Sequence, residues 1–140
     1  MKKILHVLDV NAPAEKVYTA ITTQQGLSSW WTTNVKMEDG NTPKIMFRFS
    51  SEFGPIMQVT HLEKDRTVNW KCVGNVDNWL DNMFTFTLKD EDGKTHVTFT
   101  QDYATELNDD LYGNYNFNWA YFLLSLRQYL ETGKGTPYQA

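Results

Sequence analysis

The residues best suited to chemistry in this chain are its three histidines and its single cysteine. His6, His61 and His96 fall in separate segments and lack the close spacing of a zinc site such as H-x-x-x-H. One cysteine, Cys72, can form neither an intrachain disulfide nor a multi-cysteine metal site. Its position in the middle of a strand favours a small buried side chain over a reactive thiolate. The sequence therefore predicts no metal and no cofactor.

Carboxylates and hydroxyls give no catalytic pattern either. No nucleophile, base and orienting group are marked by a motif, as a hydrolase would require. Asp109 and Asp110 begin a helical segment, where negative charge suits the positive end of the helix dipole. They are interpreted as helix-terminal charges, and no catalytic residue is predicted.

Two polar side chains occur where strand alternation predicts an apolar face. His61 follows Val59 at a spacing of two residues, and Gln101 follows Phe99 in the same way. A buried polar group needs a hydrogen-bond partner, which can be a ligand or another part of the protein. His61 and Gln101 are therefore predicted as polar ligand contacts. The alternative is an internal hydrogen bond, or a strand end that reaches solvent.

Aromatic side chains are abundant, with eight Phe, seven Tyr and five Trp. Such rings fill protein cores and also line apolar pockets. Core packing explains any one of them, but together the rings on inward faces favour a pocket. The rings predicted to line a ligand pocket are Trp31, Phe47, Phe49, Trp70, Trp79, Phe86, Phe99, Tyr115, Trp119 and Phe122.

These side chains are positioned by a series of short strands and helices. Pro13 suits the first position of a short helix that extends to about Thr22, and a second, shorter helix contains Gly26 and ends at Trp30-Trp31. Alternation of apolar and polar residues indicates an antiparallel sheet of about seven strands with one face in the core. The predicted strands cover residues 3–10, 34–37, 44–49, 56–62, 68–72, 84–88 and 96–100.

One long amphipathic helix is predicted at about 109–132, followed by Gly133, Gly135 and Pro137, which end it. A single helix rarely fills the hollow of a curved sheet, so the sequence predicts a cavity between the two. In the loop 74–82, Trp79 and Leu80 stand among turn-forming residues. They are interpreted either as a lid or partner contact, or as side chains that cover the rim of the sheet.

The bulk composition narrows the class of protein. A chain of 140 residues fits one domain, 1–140. Its net charge of −4 argues against nucleic acid or an anionic membrane as the main partner. Residues 1–6 do not resemble a signal peptide, and no apolar run approaches the roughly 18 residues of a membrane span. With a single cysteine, a cytoplasmic location is expected.

The segments together resemble a known superfamily. Val10–Thr22, followed by Gly26-Leu27 and Trp30-Trp31, is similar to the opening of the helix-grip superfamily called SRPBCC or START-like. Val68-Asn69-Trp70 and the segment Tyr129–Pro137 are typical of its branch of homologues of the activator of a heat-shock-protein ATPase. The resemblance covers nearly the whole chain. It implies an α+β fold: a strand, two short helices, six further strands and a long C-terminal helix gripped by the sheet.

The superfamily includes carriers, hormone binders, cyclases and co-chaperone domains, so its fold does not determine activity. The leading hypothesis is a non-enzymatic protein that binds a small apolar or amphipathic molecule between sheet and helix. A second hypothesis is an enzyme of the polyketide cyclase or dehydratase type, for which His61 is the candidate acid or base.

A third hypothesis is a protein-interaction role. The founding co-chaperones of the branch carry an additional N-terminal domain that this sequence does not show, so a chaperone partner is not expected. A homodimer through an exposed sheet edge is compatible with the sequence.

Overall fold

The computed structural model describes residues 2–140, and Met1, the first residue of the expected domain and N-terminal segment, lies outside them. Within that range the chain forms seven strands and three α-helices in the predicted order, with a short 3₁₀ turn at Asp77–Trp79. The elements are β1 (Lys3–Val10), α1 (Ala14–Thr22), α2 (Gln24–Trp30), β2 (Asn34–Glu38), β3 (Lys44–Arg48), β4 (Ile56–Glu63), β5 (Thr67–Gly74), β6 (Met83–Glu91), β7 (Lys94–Asp102) and α3 (Asp109–Thr132).

The seven strands form one antiparallel sheet in the order β1-β7-β6-β5-β4-β3-β2. Strands β2 to β7 follow one another as hairpins. The turn between β6 and β7 has Asp92 and Gly93 at φ values of 55° and 83°, the left-handed pair that an Asp-Gly hairpin turn requires. Strand β1 pairs with β7, so β1 and β2 are the two edges. The predicted α+β helix-grip fold is confirmed.

Strand β4 changes its alternation at Thr60. Val59 lies opposite Trp70 and His61 lies opposite Asn69, so Thr60 has no counterpart in β5. A β-bulge of this kind inserts one residue, and every side chain beyond it moves to the other face. His61 is therefore exposed to solvent. The prediction that it faces the interior is wrong.

The inner face of the sheet and the inner stripe of α3 form one aromatic core. The ring of Phe86 lies 5.3 Å from Trp70 and 5.0 Å from Phe99, and all three side chains are fully buried. Trp119 of α3 packs on Phe99 at 4.2 Å. Its Nε1 donates to Oε1 of the buried Gln101 at 2.8 Å. The middle of the sheet is therefore filled by side chains.

Helix α3 has the predicted bounds because both of its ends are capped. Asn108 precedes it, and its side-chain oxygen accepts a hydrogen bond from the backbone N–H of Leu111 at 2.9 Å. Gly133 follows it with a φ of 87°, the left-handed conformation that ends many helices. Within residues 2–140, no helix combines the length and the apolar character that a membrane crossing requires.

The segment after α3, Gly133–Ala140, returns to the end of α2. The backbone N–H of Tyr138 donates to the carbonyl of Trp31 at 2.9 Å. The Ser125 hydroxyl of α3 donates to the carbonyl of Trp30 at 2.8 Å and accepts from the N–H of Thr136 at 2.7 Å. One buried hydroxyl thus connects α3, α2 and this C-terminal tail.

Candidate functional site

A pocket of about 450 Å³ opens between the N-terminal half of α3 and the neighbouring loops. Its walls come from the end of α2, the β3–β4 loop, the 3₁₀ turn, α3 and the C-terminal tail. The residues that line it are Trp31, Phe49, Ser50, Phe53, Trp79, Asn114, Tyr115, Asn118, Trp119, Phe122 and Tyr138. The pocket therefore lies at one end of the predicted space between helix and sheet.

Trp31 and Trp79 form the two aromatic sides of the pocket. The Trp31 ring lies 5.2 Å from Phe49 and 4.9 Å from Trp119. The Trp79 ring lies 5.1 Å from Phe53 and 5.2 Å from Tyr115. Each ring is held by several others, so the walls are positioned before any molecule enters. Rigid apolar walls of this kind suit an aromatic or aliphatic ligand.

Polar groups are few and lie mostly at the mouth of the pocket. Ser50, Asn114 and Asn118 line it and are exposed. The Tyr115 hydroxyl donates to the side-chain oxygen of Asn78 at 3.1 Å, which connects α3 to the 3₁₀ turn. The rim can therefore offer amide and hydroxyl groups to a polar part of a ligand, while the walls contact its apolar part.

Several predicted ligand contacts are brought together in this pocket. They are Trp31, Phe49, Trp79, Tyr115, Trp119 and Phe122. Of the two side chains in the 74–82 loop, Trp79 is buried and Leu80 is exposed. Trp79 therefore packs inward as part of the pocket wall, and its role as a lid or partner contact stays a prediction. Whether these residues bind a ligand stays a prediction.

The other predicted contacts lie outside the pocket wall. Phe47, Trp70, Phe86 and Phe99 are buried among other rings behind Trp31 and Trp119. Strand alternation placed them correctly on the inner face, but it does not distinguish a core ring from a pocket ring. Two polar residues complete this group: Gln101 accepts the hydrogen bond from Trp119, and His61 is on the outer surface.

Trp79, Gln101 and Tyr103 each carry a buried polar atom that has no hydrogen-bond partner in the described part of the chain. These atoms are Nε1 of Trp79, Nε2 of Gln101 and the hydroxyl of Tyr103. Burial raises the pKa of Tyr103 well above its ordinary value. The N–H groups of Trp79 and Gln101 lower the pKa of Tyr103 by a smaller amount, because they favour its ionised form. Their geometry is not that of a hydrogen bond. Tyr103 is therefore neutral at ordinary pH.

The groups of the pocket wall that can take part in acid–base or nucleophilic chemistry are the hydroxyls of Ser50, Tyr115 and Tyr138. Among the residues that line it in the described structure there is no His, Cys, Asp, Glu, Lys or Arg. Cys72 lies in the core, and burial is the main cause that raises the pKa of its thiol. A raised pKa keeps the thiol protonated and a poor nucleophile. The cyclase hypothesis needed His61 inside the cavity, and His61 is outside it.

Sequence reasoning missed Ser50, Phe53, Asn114, Asn118 and Tyr138. Phe53 lies in the turn between the predicted strands 44–49 and 56–62, and its ring packs at 5.3 Å from Phe49. An aromatic residue in a turn was the available signal. For the exposed asparagines and for Tyr138, no local pattern marks a pocket, because their position depends on how α3 and the tail meet the loops.

A seven-stranded antiparallel sheet closed over one long helix, with a pocket at one end, defines a helix-grip protein. A sequence profile of the family described as activator of Hsp90 ATPase homolog 1-like protein matches residues 11–131. The chain belongs to this family, which confirms the resemblance in its sequence. No curated protein matches the chain at a significant level.

Solved structures agree with this assignment. The chain is similar to the Aha1 dimer from Colwellia psychrerythraea, studied in solution, with 38% identity over 96% of this chain and 100% of that chain and a TM-score of 0.85. Protein MLL2253 from Mesorhizobium loti has 19% identity over 93% of this chain and 97% of that one, with a TM-score of 0.78. DynU16, encoded in the dynemicin biosynthetic locus, has 20% identity over 96% of this chain and 49% of that one, with a TM-score of 0.76. The last two show the fold alone.

Proposed function

We propose that this protein binds a small apolar or amphipathic molecule in the pocket at the N-terminal half of α3. The observation that carries the proposal is a volume of about 450 Å³ walled by aromatic rings. Ligand pockets in proteins typically have volumes of about 300–1,000 Å³ and apolar walls with a few polar groups. The hydroxyl and amide groups at the rim would contact the polar end of an amphipathic ligand.

The test uses 1-N-phenylnaphthylamine, an uncharged apolar probe whose fluorescence rises in an apolar site. We expect saturable binding, accompanied by quenching of tryptophan fluorescence, because three indole rings line the pocket. Asn118→Trp places a large ring in the pocket mouth and is expected to weaken the probe by about tenfold or more. The matched control is Gln128→Trp, at an exposed position of the same helix outside the pocket.

A second measurement addresses the natural ligand. Native mass spectrometry of the gently purified protein, followed by denaturation, would detect any bound molecule as an added mass on 16.3 kDa and release it for identification. The proposal fails if the wild type does not bind the probe, or if Asn118→Trp and Gln128→Trp bind it equally well.

Catalysis is not part of this proposal. The cyclase or dehydratase hypothesis requires a proton donor or acceptor next to the substrate. Its candidate, His61, lies on the outer surface, and the pocket wall offers no carboxylate or imidazole to replace it. A cytoplasmic location is also proposed, because the single cysteine is a buried thiol that needs no oxidising environment.

We also propose that the chain forms a homodimer. The support is the solved Aha1 dimer, which shares 38% of its residues with this chain over nearly the full length of both. Size-exclusion chromatography with light scattering is expected to give twice the 16.3 kDa of one chain. A mass of one chain at every concentration up to about 100 µM would remove this proposal.

A further inference from the structure

We propose that a second copy of this chain docks on β1, so that two β1 strands pair antiparallel and join both sheets into one. This inference rests on the homodimer proposed above and names its surface. Three features of β1 support this pairing: its edge position, the side chains on its two faces and the complementarity of its sequence to itself.

The backbone of β1 has hydrogen-bonding groups directed away from the sheet. The carbonyl of Lys2 accepts from the N–H of Tyr103, next to β7, at 3.1 Å. In an antiparallel ladder, alternate residues direct their N–H and C=O groups to the same side. Those of Lys3, Leu5, Val7 and Asp9 therefore point outwards, and the outward carbonyl of Lys3 already accepts from the Tyr112 hydroxyl of α3. An edge strand with such groups is a template for another strand.

The outer face of β1 is apolar at its centre, whereas edge strands usually carry residues that prevent pairing with another strand. Leu5 and Val7 are 55% and 54% exposed, although both are aliphatic. Sheet edges commonly carry inward charges, proline or a bulge that prevent pairing. The pairing of β1 with β7 runs without a register shift from Lys3 to Val10, and β1 contains no proline. Its centre is therefore regular, and it is apolar on its outer face.

The sequence of β1 is complementary to itself in the antiparallel direction. With His6 at the two-fold axis, Leu5 of one copy lies opposite Val7 of the other, and Lys3 lies opposite Asp9. All four belong to the outward-directed set, so in this register the outward N–H and C=O groups of Leu5 and Val7 pair across the axis, and the side chains match as well. Aliphatic and opposite-charge pairs across a ladder are both stabilising.

The charged residues remain available for this pairing. Asp9 contacts His96 at 2.8 Å, and Lys3 Nζ is 3.7 Å from Asp102, but all of these side chains are substantially exposed. A neighbouring strand would add Lys3 of one copy to Asp9 of the other without breaking a buried interaction. The pair recurs at both ends of the interface because of the two-fold symmetry.

The inner side of the same edge adds a further apolar surface. Helix α3 follows β1, since the Tyr112 hydroxyl donates to the carbonyl of Lys3 at 2.8 Å and His6 Nε2 lies 3.3 Å from the carbonyl of Asn116. The next residue, Phe117, is 72% exposed, more than any other large apolar side chain in the described chain. Because α3 passes His6 at this point, Phe117 lies near the proposed axis and can contact its counterpart.

The first experiment compares substitutions on exposed apolar side chains by light scattering. Val7→Lys places a charge opposite Leu5 and is expected to weaken dimerisation by about tenfold or more. Phe117→Lys tests the inner side independently. Leu62→Lys is the matched control, since Leu62 is an exposed aliphatic residue at the far end of β4. Circular dichroism of each variant verifies that it is folded.

The second experiment tests the register. Lys3→Asp and Asp9→Lys each place like charges opposite one another in their own dimer, so each variant alone is expected to dimerise weakly. When the two variants are mixed, the new Asp at position 3 of one chain lies opposite the new Lys at position 9 of the other. At the other end of the interface, the unchanged Asp9 lies opposite the unchanged Lys3. We expect the mixture to restore the dimer as a heterodimer, observed by native mass spectrometry.

The outcomes separate the two proposals. A wild type that is monomeric at all concentrations removes the homodimer, and this inference with it. A wild-type dimer that persists unchanged in Val7→Lys and Phe117→Lys leaves the homodimer standing and overturns only the β1 interface. Loss of the dimer in those variants, its retention in Leu62→Lys and its recovery in the mixture would together support β1 pairing.

Discussion

Tyr103 is one of the residues of the described chain that carry a buried polar atom with no hydrogen-bond partner. Its hydroxyl is buried without a hydrogen-bond partner in residues 2–140, and burial raises its pKa above the usual value of 10.0. An unpartnered buried hydroxyl costs about 1–3 kcal/mol of stability, unless water reaches it. We therefore expect the stability of the protein to fall at alkaline pH.

The expected result is a loss of stability above about pH 10. The folded pKa of Tyr103 is higher than the unfolded one, so its contribution is complete below the unfolded pKa and is lost as the pH rises towards the folded pKa. At about pH 10.5 the ionisation of this group in the unfolded state lowers the free energy of unfolding by about 1 kcal/mol relative to neutral pH. Urea unfolding at about pH 8 and 10.5 measures the loss.

The matched variants are Tyr103→Phe and Tyr121→Phe. Tyr103→Phe should reduce the alkaline loss and should not lower the free energy of unfolding at neutral pH, because the removed hydroxyl has no partner within residues 2–140. Tyr121 is exposed, so its substitution should leave the wild-type pH dependence unchanged. An alkaline loss in Tyr103→Phe equal to that of the wild type would contradict the explanation.

Single residues also show where sequence reasoning reaches its limit. Alternation placed Gln101 inside, and the structure agrees, because β7 pairs with both of its neighbours without a break. The same rule failed for His61, because one extra residue at Thr60 reverses the faces beyond it. A bulge depends on how two strands fit each other, and the sequence of one strand does not contain that information.

At the scale of elements, the crossing of α1 and α2 depends on one glycine. A Cβ atom on Gly26 would lie 2.6 Å from both Cα and O of Ala20, which are backbone atoms and cannot move aside cheaply. Next to this crossing, the indole N–H of the buried Trp30 donates to the carbonyl of Ala20 at 2.9 Å. The two helices therefore approach at the distance that a glycine permits.

Gly26→Ala is expected to lower the free energy of unfolding by about 2–3 kcal/mol, the cost of overpacking a close contact. Gly113→Ala is the control, since nothing lies within 4 Å of its added methyl group. In the interior of α3 the control should gain about 0.5–1 kcal/mol, because alanine is the better helix former. Urea unfolding measures both, and equal effects would show that the close approach is not the cause.

Elements were more predictable than the loops between them. The caps and apolar stripe of α3 predicted its bounds, and strand alternation predicted all seven strands to within a few residues. The walls of the pocket come largely from loops, where side-chain direction has no period. Phe53 and Tyr138 were missed for this reason, and so was the 3₁₀ turn that carries Trp79 into the interior.

At the scale of the whole molecule, the space between sheet and helix is smaller than the fold alone suggests. Trp70, Phe86 and Phe99 occupy the middle of the sheet, and Trp119 of α3 packs on Phe99. The sequence predicted that these rings lie on the inner face, but it did not predict the volume of the cavity that remains after they pack. The pocket of about 450 Å³ lies beside the N-terminal half of α3, where the tail returns.

Ser125 joins three segments around that remaining volume. Ser125→Ala removes the acceptor for the N–H of Thr136 and the donor to the carbonyl of Trp30. We expect a loss of about 1–3 kcal/mol in stability. We also expect faster hydrogen exchange at the amide of Tyr138, which donates to Trp31. Exchange measured by mass spectrometry verifies this. Tyr121→Phe removes an exposed hydroxyl from the same helix; it is the control and should leave the Tyr138 amide protected.

The return of the tail has a practical consequence for how the protein is handled. Tyr138 lines the pocket, and the N–H of Ala140 donates to the Thr33 hydroxyl at 2.9 Å, so the last residues of this sequence lie beside the pocket mouth. A purification tag fused directly after Ala140 would crowd that mouth and could compete with an incoming molecule. A small fluorophore attached there would instead sense occupancy from the outside, with every wall residue left intact.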